Sequence, residues 1–180
     1  MLYSYNDCIS SFGNDYQIKK SVSDGKLFKI RNGIYSDKEY VSELEIVCFK
    51  YPMAVFTMDS AFYYHALTDV IPEAYHLATD KNAAKIKTAG IKQYFYPRDK
   101  FEVGISQSTF QNISIRIYDR ERMLIELIKN KDKIPFDYYK EIIENYRKLV
   151  DSLDIEKIQD YVMSFSGSDN IARAIQLEVL

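Results

Sequence analysis

Apolar positions recur at helical spacing over most of this chain and give way to strand-like patterns in two regions. Residues 5–12 read as a short helix closed by Gly13. A second helix runs from about Tyr16 to Ser23, opened by Asn14 or Asp15, with Ile18 and Val22 four apart on its inner face. Tyr16, Lys20 and Ser23 then point outward, with Gln17 and Lys19 on the shoulders. Gly25 ends that helix. Leu27-Phe28-Lys29-Ile30 and Ile34-Tyr35-Ser36 follow, flanking Asn32-Gly33, a pair suited to a type I′ hairpin turn. Phe28 and Ile30 share one face of the hairpin, while Lys29 and Arg31 share the other near its tip.

Further along, Asp37 can cap a helix to about Tyr51 with Val41, Leu44, Val47 and Cys48 as its buried stripe, stopped by Pro52. That helix reads as a connector into a second domain. Ala54-Val55-Phe56 is a brief strand, and Asp59-Ser60 opens a helix through Leu67. Tyr75 to Ala78 forms another strand, followed by a lysine-bearing helix at about Asn82 to Ala89. A β-rich region then spans Ile91–Tyr96, Phe101–Ile105 and Ile113–Tyr118, the last with Ile113, Ile115 and Ile117 in strict alternation. The remainder is helical. Asp119 caps a helix with Met123, Leu124, Leu127 and Ile128 inward, and three more follow over 136–150, 154–165 and from about Asn170.

This pattern predicts an α+β protein in two parts. Residues 1–36 form a winged helix-turn-helix module in which two helices precede a basic hairpin. The helix that normally comes before those two has no counterpart, so a later segment takes its place or the module is trimmed. Residues 37–180 form a larger domain with a small mixed or antiparallel sheet and C-terminal helices.

Composition changes the picture in four respects. With 47% hydrophobic and 28% charged residues over 180 positions, the chain can build a real core and is not a disordered segment. No apolar run approaches the ~20 residues of a membrane helix, and Met1 to Asp7 lacks the features of a signal peptide, so a cytoplasmic location without membrane contact is expected. Cys8 and Cys48 lack metal-ligand spacing and read as reduced thiols. The formal net charge of −2 is uneven: residues 1–36 hold five Lys/Arg against three Asp, leaving a deficit over the rest.

The chemistry available is sparse. His65 and His76 are the only histidines, and neither a Walker A loop nor a GxGxxG sequence occurs, so no catalytic set, metal site or cofactor is expected. Ser60 suits a helix start better than a nucleophile, and His65 suits a hydrogen-bonded, partly buried position. Asp119-Arg120-Glu121-Arg122 places acids and bases at a helix N-terminus, where capping and ion pairing account for them. Tyr94, Phe95 and Tyr96, lying between Lys92 and Arg98, are the one candidate for a base-stacking surface, and a strand with one wet face accounts for them equally well. For duplex DNA, Lys19, Lys20, Lys29 and Arg31 are the phosphate-contacting candidates. Tyr16, Gln17 and Lys20 are the candidates for reading bases.

Three stretches also carry a family resemblance. Gly25-Lys26-Leu27-Phe28-Lys29-Ile30-Arg31-Asn32-Gly33-Ile34-Tyr35 resembles the wing of AbiEi-type antitoxins of type IV toxin–antitoxin systems. The segments from Asp59 to Asp69 and from Asp119 to Leu127 resemble the two characteristic stretches of that family's second domain, in the same order. The family pattern commonly has Thr where Met123 stands and Asp where Glu126 stands. The resemblance implies an antitoxin, linked to abortive infection during phage attack, that counters a nucleotidyltransferase-type toxin without a stable complex. It implies a module that binds inverted repeats in its own promoter and represses the operon. Ser60, His65, Asp119, Glu121 and Arg122 fall in the segments of the neutralising domain. Two other readings stay open: an interaction protein whose helix-turn-helix no longer binds DNA, and an enzyme modifying the toxin or a nucleotide through Ser60, His65 or the Asp119–Arg122 segment.

Overall fold

Ser4 opens the first helix through a reciprocal cap, its hydroxyl accepting from the Asp7 backbone N–H while the Asp7 carboxylate accepts from the Ser4 N–H. The computed structural model describes residues 1–180 and divides them into two units, Met1–Pro52 and Met53–Leu180. The first contains β1 (Leu2–Ser4), α1 (Tyr5–Phe12), α2 (Asp15–Ser23), β2 (Phe28–Arg31), β3 (Ile34–Ser36) and α3 (Glu43–Lys50). Gly13 at φ +86° closes α1, and the Asn14 side chain caps α2 by accepting from the Gln17 N–H. The strands form an antiparallel sheet in the order β1-β3-β2.

Neighbouring residues of β3 point to opposite faces of this sheet, and each face has its own small core. Tyr35 joins Cys8 of α1, Ile18 of α2 and Leu27. Ile34 joins Leu2 and Ile46, the latter from α3, with Ile30 packed alongside. The helix after the hairpin is therefore part of the first unit, which runs to Pro52 where the sequence suggested a boundary after Ser36. Ser42, not Asp37, caps α3. Asp37 instead accepts from the N-terminal ammonium of Met1. The hairpin turn also differs from expectation, since only Gly33 takes a positive φ (+75°) and a type I′ turn needs two. The ladder slips between Lys29 and Arg31, so Arg31 aligns with Ile34.

The second unit contains β4 (Val55–Phe56), α4 (Met58–Tyr64), β5 (Tyr75–Asp80), β6 (Ile91–Tyr96), α5 (Arg98–Phe101), β7 (Ile105–Phe110) and β8 (Ile113–Tyr118). Four helices follow: α6 (Arg120–Lys129), α7 (Phe136–Lys148), α8 (Ile155–Met163) and α9 (Ser168–Glu178). Its mixed sheet runs β6-β5-β4-β8-β7, with β5/β6 and β4/β8 parallel and the other two pairs antiparallel. The β7–β8 hairpin closes through Gln111 and Asn112, both at positive φ (+49° and +65°), as a type I′ turn requires.

Two elements read from sequence do not form. Residues 82–89 are not a helix: Gln93 of β6 accepts from the Ile86 N–H (2.7 Å) and donates to the Ala84 carbonyl (3.1 Å), ties that hold an irregular crossover. The strand placed over Phe101–Ile105 begins instead at Ile105, because Pro97 starts the short α5 and Gly104, at φ +76°, turns the chain. The α+β assignment holds, with α6 buried on nearly every side: Met123, Leu124, Ile125 and Leu127 have no exposed surface. No helix is long and apolar enough to cross a membrane.

The assignment of α3 to the first unit has a measurable consequence. A fragment spanning 53–180 should melt cooperatively, as followed by circular dichroism. A fragment spanning 37–180 keeps α3 without Leu2 and Ile34, and light scattering should show it aggregating first.

Candidate functional site

The outward side of α2 and the hairpin beside it hold all six residues proposed for DNA. Tyr16 is 70% exposed, and Gln17, Lys19, Lys20 and Lys29 are exposed too. Two of the cations are already engaged. Lys19 Nζ lies 2.6 Å from Asp15 Oδ2, and that carboxylate raises the lysine pKa. The Arg31 guanidinium meets Glu43 Oε2 at the start of α3, also at 2.6 Å. Including the segment through α3 also changes the charge of the unit: residues 1–52 hold seven Lys/Arg and seven Asp/Glu. The excess of positive charge over 1–36 is cancelled by Asp37, Glu39, Glu43 and Glu45.

The second unit centres on Arg122, which has no exposed surface. Its Nη2 and Nε donate to Glu126 Oε1 at 2.7 and 3.2 Å, one helical turn away. Its Nη1 donates to the carbonyls of Lys100 and Val103, tying α6 to the segment around α5. The rings of Tyr96, Tyr118 and Phe165 surround the guanidinium, with centroids 5.3, 4.6 and 4.4 Å from Cζ. Glu126 further accepts from the Tyr96 hydroxyl (3.1 Å), Lys129 Nζ (3.5 Å) and Asn130 Nδ2 (3.3 Å). Burial and the Glu126 carboxylate together push the Tyr96 phenol pKa far up. Space here is tight: a Cβ on Gly104 would stand 2.4 Å from Arg122 Cβ.

The neighbours of Arg122 in sequence are joints as well. Asp119 caps α6 through Oδ1 and accepts from the Tyr161 hydroxyl of α8 through Oδ2. Glu121 Oε1 accepts from the Asp154 N–H at the start of α8. His65 Nε2 donates to the Tyr118 carbonyl at 2.7 Å, which settles its tautomer. Ser60 is fully buried, its hydroxyl accepting from the His76 N–H (2.9 Å) and facing the Ala74 carbonyl (3.5 Å). Asp119, Glu121 and Arg122 are thus brought together around α6, whereas Ser60 and His65 serve separate backbone contacts. Ser60 lies in the first turn of α4, which starts at Met58, and the N-cap position is Thr57, not Ser60.

One cluster escaped the sequence reading. His76 Nδ1 accepts from the Asp59 N–H (3.4 Å) and lies 3.1 Å from the Tyr94 hydroxyl, while Nε2 lies 3.6 Å from Asp59 Oδ2. Alternation along β5 and β6 puts His76 and Tyr94 on one face, but the parallel register that brings them close is not encoded locally. The Arg122–Glu126 pair had a signal that was available: two opposite charges four apart on a helix, separated only by the apolar Met123, Leu124 and Ile125. No family model matches the chain, and no curated protein matches it.

Two measurements follow from this arrangement. Glu126→Ala should leave Arg122 buried without its carboxylate and cost about 3–5 kcal/mol in urea unfolding. In addition, burial is the main cause lowering the pKa of both histidines; for His76 Asp59 opposes it and Lys92 adds to it, while for His65 the Tyr118 carbonyl opposes it. The unfolded chain therefore takes up these protons first on acidification. Stability should be full above the ordinary histidine value of 6.5 and fall as pH drops through the lower folded-state values. His76→Gln should flatten the melting temperature between pH 7.5 and 5.5; an unchanged slope contradicts the assignment.

Proposed function

We propose that this protein is a DNA-binding antitoxin of the AbiEi type, in which the first unit reads promoter DNA and the second neutralises a nucleotidyltransferase-type toxin. One observation carries the DNA half: β1, α1, α2, β2 and β3 follow one another as in a winged helix-turn-helix, with sheet order β1-β3-β2 and the outward side of α2 exposed beside the hairpin. In this reading α2 enters the major groove. Tyr16 and Gln17 meet base edges, and Lys20 and Lys29 meet phosphates. α3 supports the sheet from its second face, laying Ile46 on Leu2 and Ile34. The antitoxin half rests on the resemblance of the Asp59–Asp69 and Asp119–Leu127 segments. In this structure those segments build the interior of the second unit, so the neutralising surface is formed by what they hold in place.

A second reading draws on the neutral charge of residues 1–52 and the two engaged cations: the first unit is a protein-interaction module without DNA affinity. A gel shift on the upstream promoter separates the two. Specific retardation, with Lys29→Ala lowering the slope of log affinity against log salt by about 0.9, is the expected result. Tyr16→Ala and Gln17→Ala should narrow the preference for operator over random DNA by 1–3 kcal/mol, read by competition. Protection of toxin-expressing cells, with the protein supplied from an unrelated promoter, should survive all three substitutions. Absence of any retardation at low salt removes the DNA reading in favour of the second one.

A further inference from the structure

We propose that the groove between α8 and α9 binds a basic amphipathic helix from a partner protein. The groove encloses about 410 Å³ and lies wholly within the second unit. Its apolar lining comes from Ile158, Val162 and Met163 on one side and Ala172, Ile175 and Leu180 on the other. Met163 is 79% exposed and Leu180 45%, so part of the apolar lining meets water when the groove is empty. Both ionisable side chains that line it, Asp160 and Asp169, are acidic.

Charge selects the occupant. Residues 151–180 carry six Asp/Glu against two Lys/Arg, and neither of those cations, Lys157 or Arg173, lines the groove. Two copies of this face would repel, which disfavours a second copy of the chain as occupant. An apolar lining between acidic side chains complements a helix with an apolar stripe flanked by Lys or Arg. The nine residues of α8 extend ~13 Å, enough to lie along roughly two turns of a docked helix. That length admits anchors at i, i+3 or i+4, and i+7, the spacing of helix-in-groove recognition. Met163 is unbranched and adapts to differing anchors, so the groove selects on charge and periodicity more than on one side-chain shape.

The test uses the full chain and a fluorescein-labelled peptide of roughly 14 residues, with Leu at i, i+3, i+4 and i+7 and Lys on its remaining face. Fluorescence polarisation should show saturable binding, while the same peptide with Glu for Lys should not bind. Asp160→Asn with Asp169→Asn should weaken binding roughly tenfold at low salt, with less effect at high salt. Ala172→Arg, at an exposed helical position, should abolish binding with the melting temperature unchanged. Retained binding by a folded Ala172→Arg protein would reduce the interaction to general charge attraction and overturn the proposal. So would failure of the Lys peptide to saturate. Sedimentation showing a dimer that Ala172→Arg dissolves would overturn it in favour of a second copy.

Discussion

The second unit depends on how one guanidinium is kept out of water. A buried arginine is costly unless each donor finds an acceptor and its charge is answered close by. Arg122 meets both conditions with groups from separate parts of the chain: Glu126 one turn along, two carbonyls from the segment around α5, and rings from β6, from β8 and from Phe165 just past α8. Removing any one supplier leaves the others holding an unsatisfied charge. Such an arrangement favours a single packing, because alternatives that bury the same apolar area strand the charge. Gly104 belongs to the same constraint, since its missing side chain is what lets the backbone reach α6.

The first unit is held by other means. Its cores are small and lie on opposite faces of a three-stranded sheet, so neither pair of helices nor α3 alone covers the strands. The acidic start of α3 also brings Glu43 to Arg31. On the DNA-binding reading proposed above, a phosphate recruiting Arg31 would have to displace a carboxylate already in place. Exposed pairs of this kind are weak, so Glu43 constrains Arg31 only loosely.

Much of the architecture was legible in the sequence because it is governed locally. The caps at Asn14 and Asp119, the break at Gly13 and the alternation of Ile113, Ile115 and Ile117 all depend on residues within a turn or two. What failed depended on distant partners. Residues 82–89 have a helical composition, yet Gln93 across the crossover supplies competing hydrogen bonds. Asn32-Gly33 was the obvious type I′ pair, but a ladder slip lets Gly33 alone take positive φ, and Gln111-Asn112 adopts that turn without any glycine. For the candidate residues, sequence placed Tyr16, Gln17, Lys20 and Lys29 outward as found. It could not show that Lys19 and Arg31 are paired, nor that Ser60 is fully buried, since those facts arise only after packing.

The central strand of the larger sheet is only Val55–Phe56, yet it joins the β5–β6 pair to the β7–β8 hairpin. The hairpin closes over two residues and can form within microseconds, independently of the rest. Union of the two halves waits until Phe56 finds Ile117, far along the chain, and Leu77 on its other side. Loop-closure entropy makes that step the slow one. Until it is complete, the edges of β5 and β8 stand open, and the growing chain carries that exposure until β8 and α6 have been synthesised. The protein is consequently most vulnerable to strand-mediated association not when mature but during its own production.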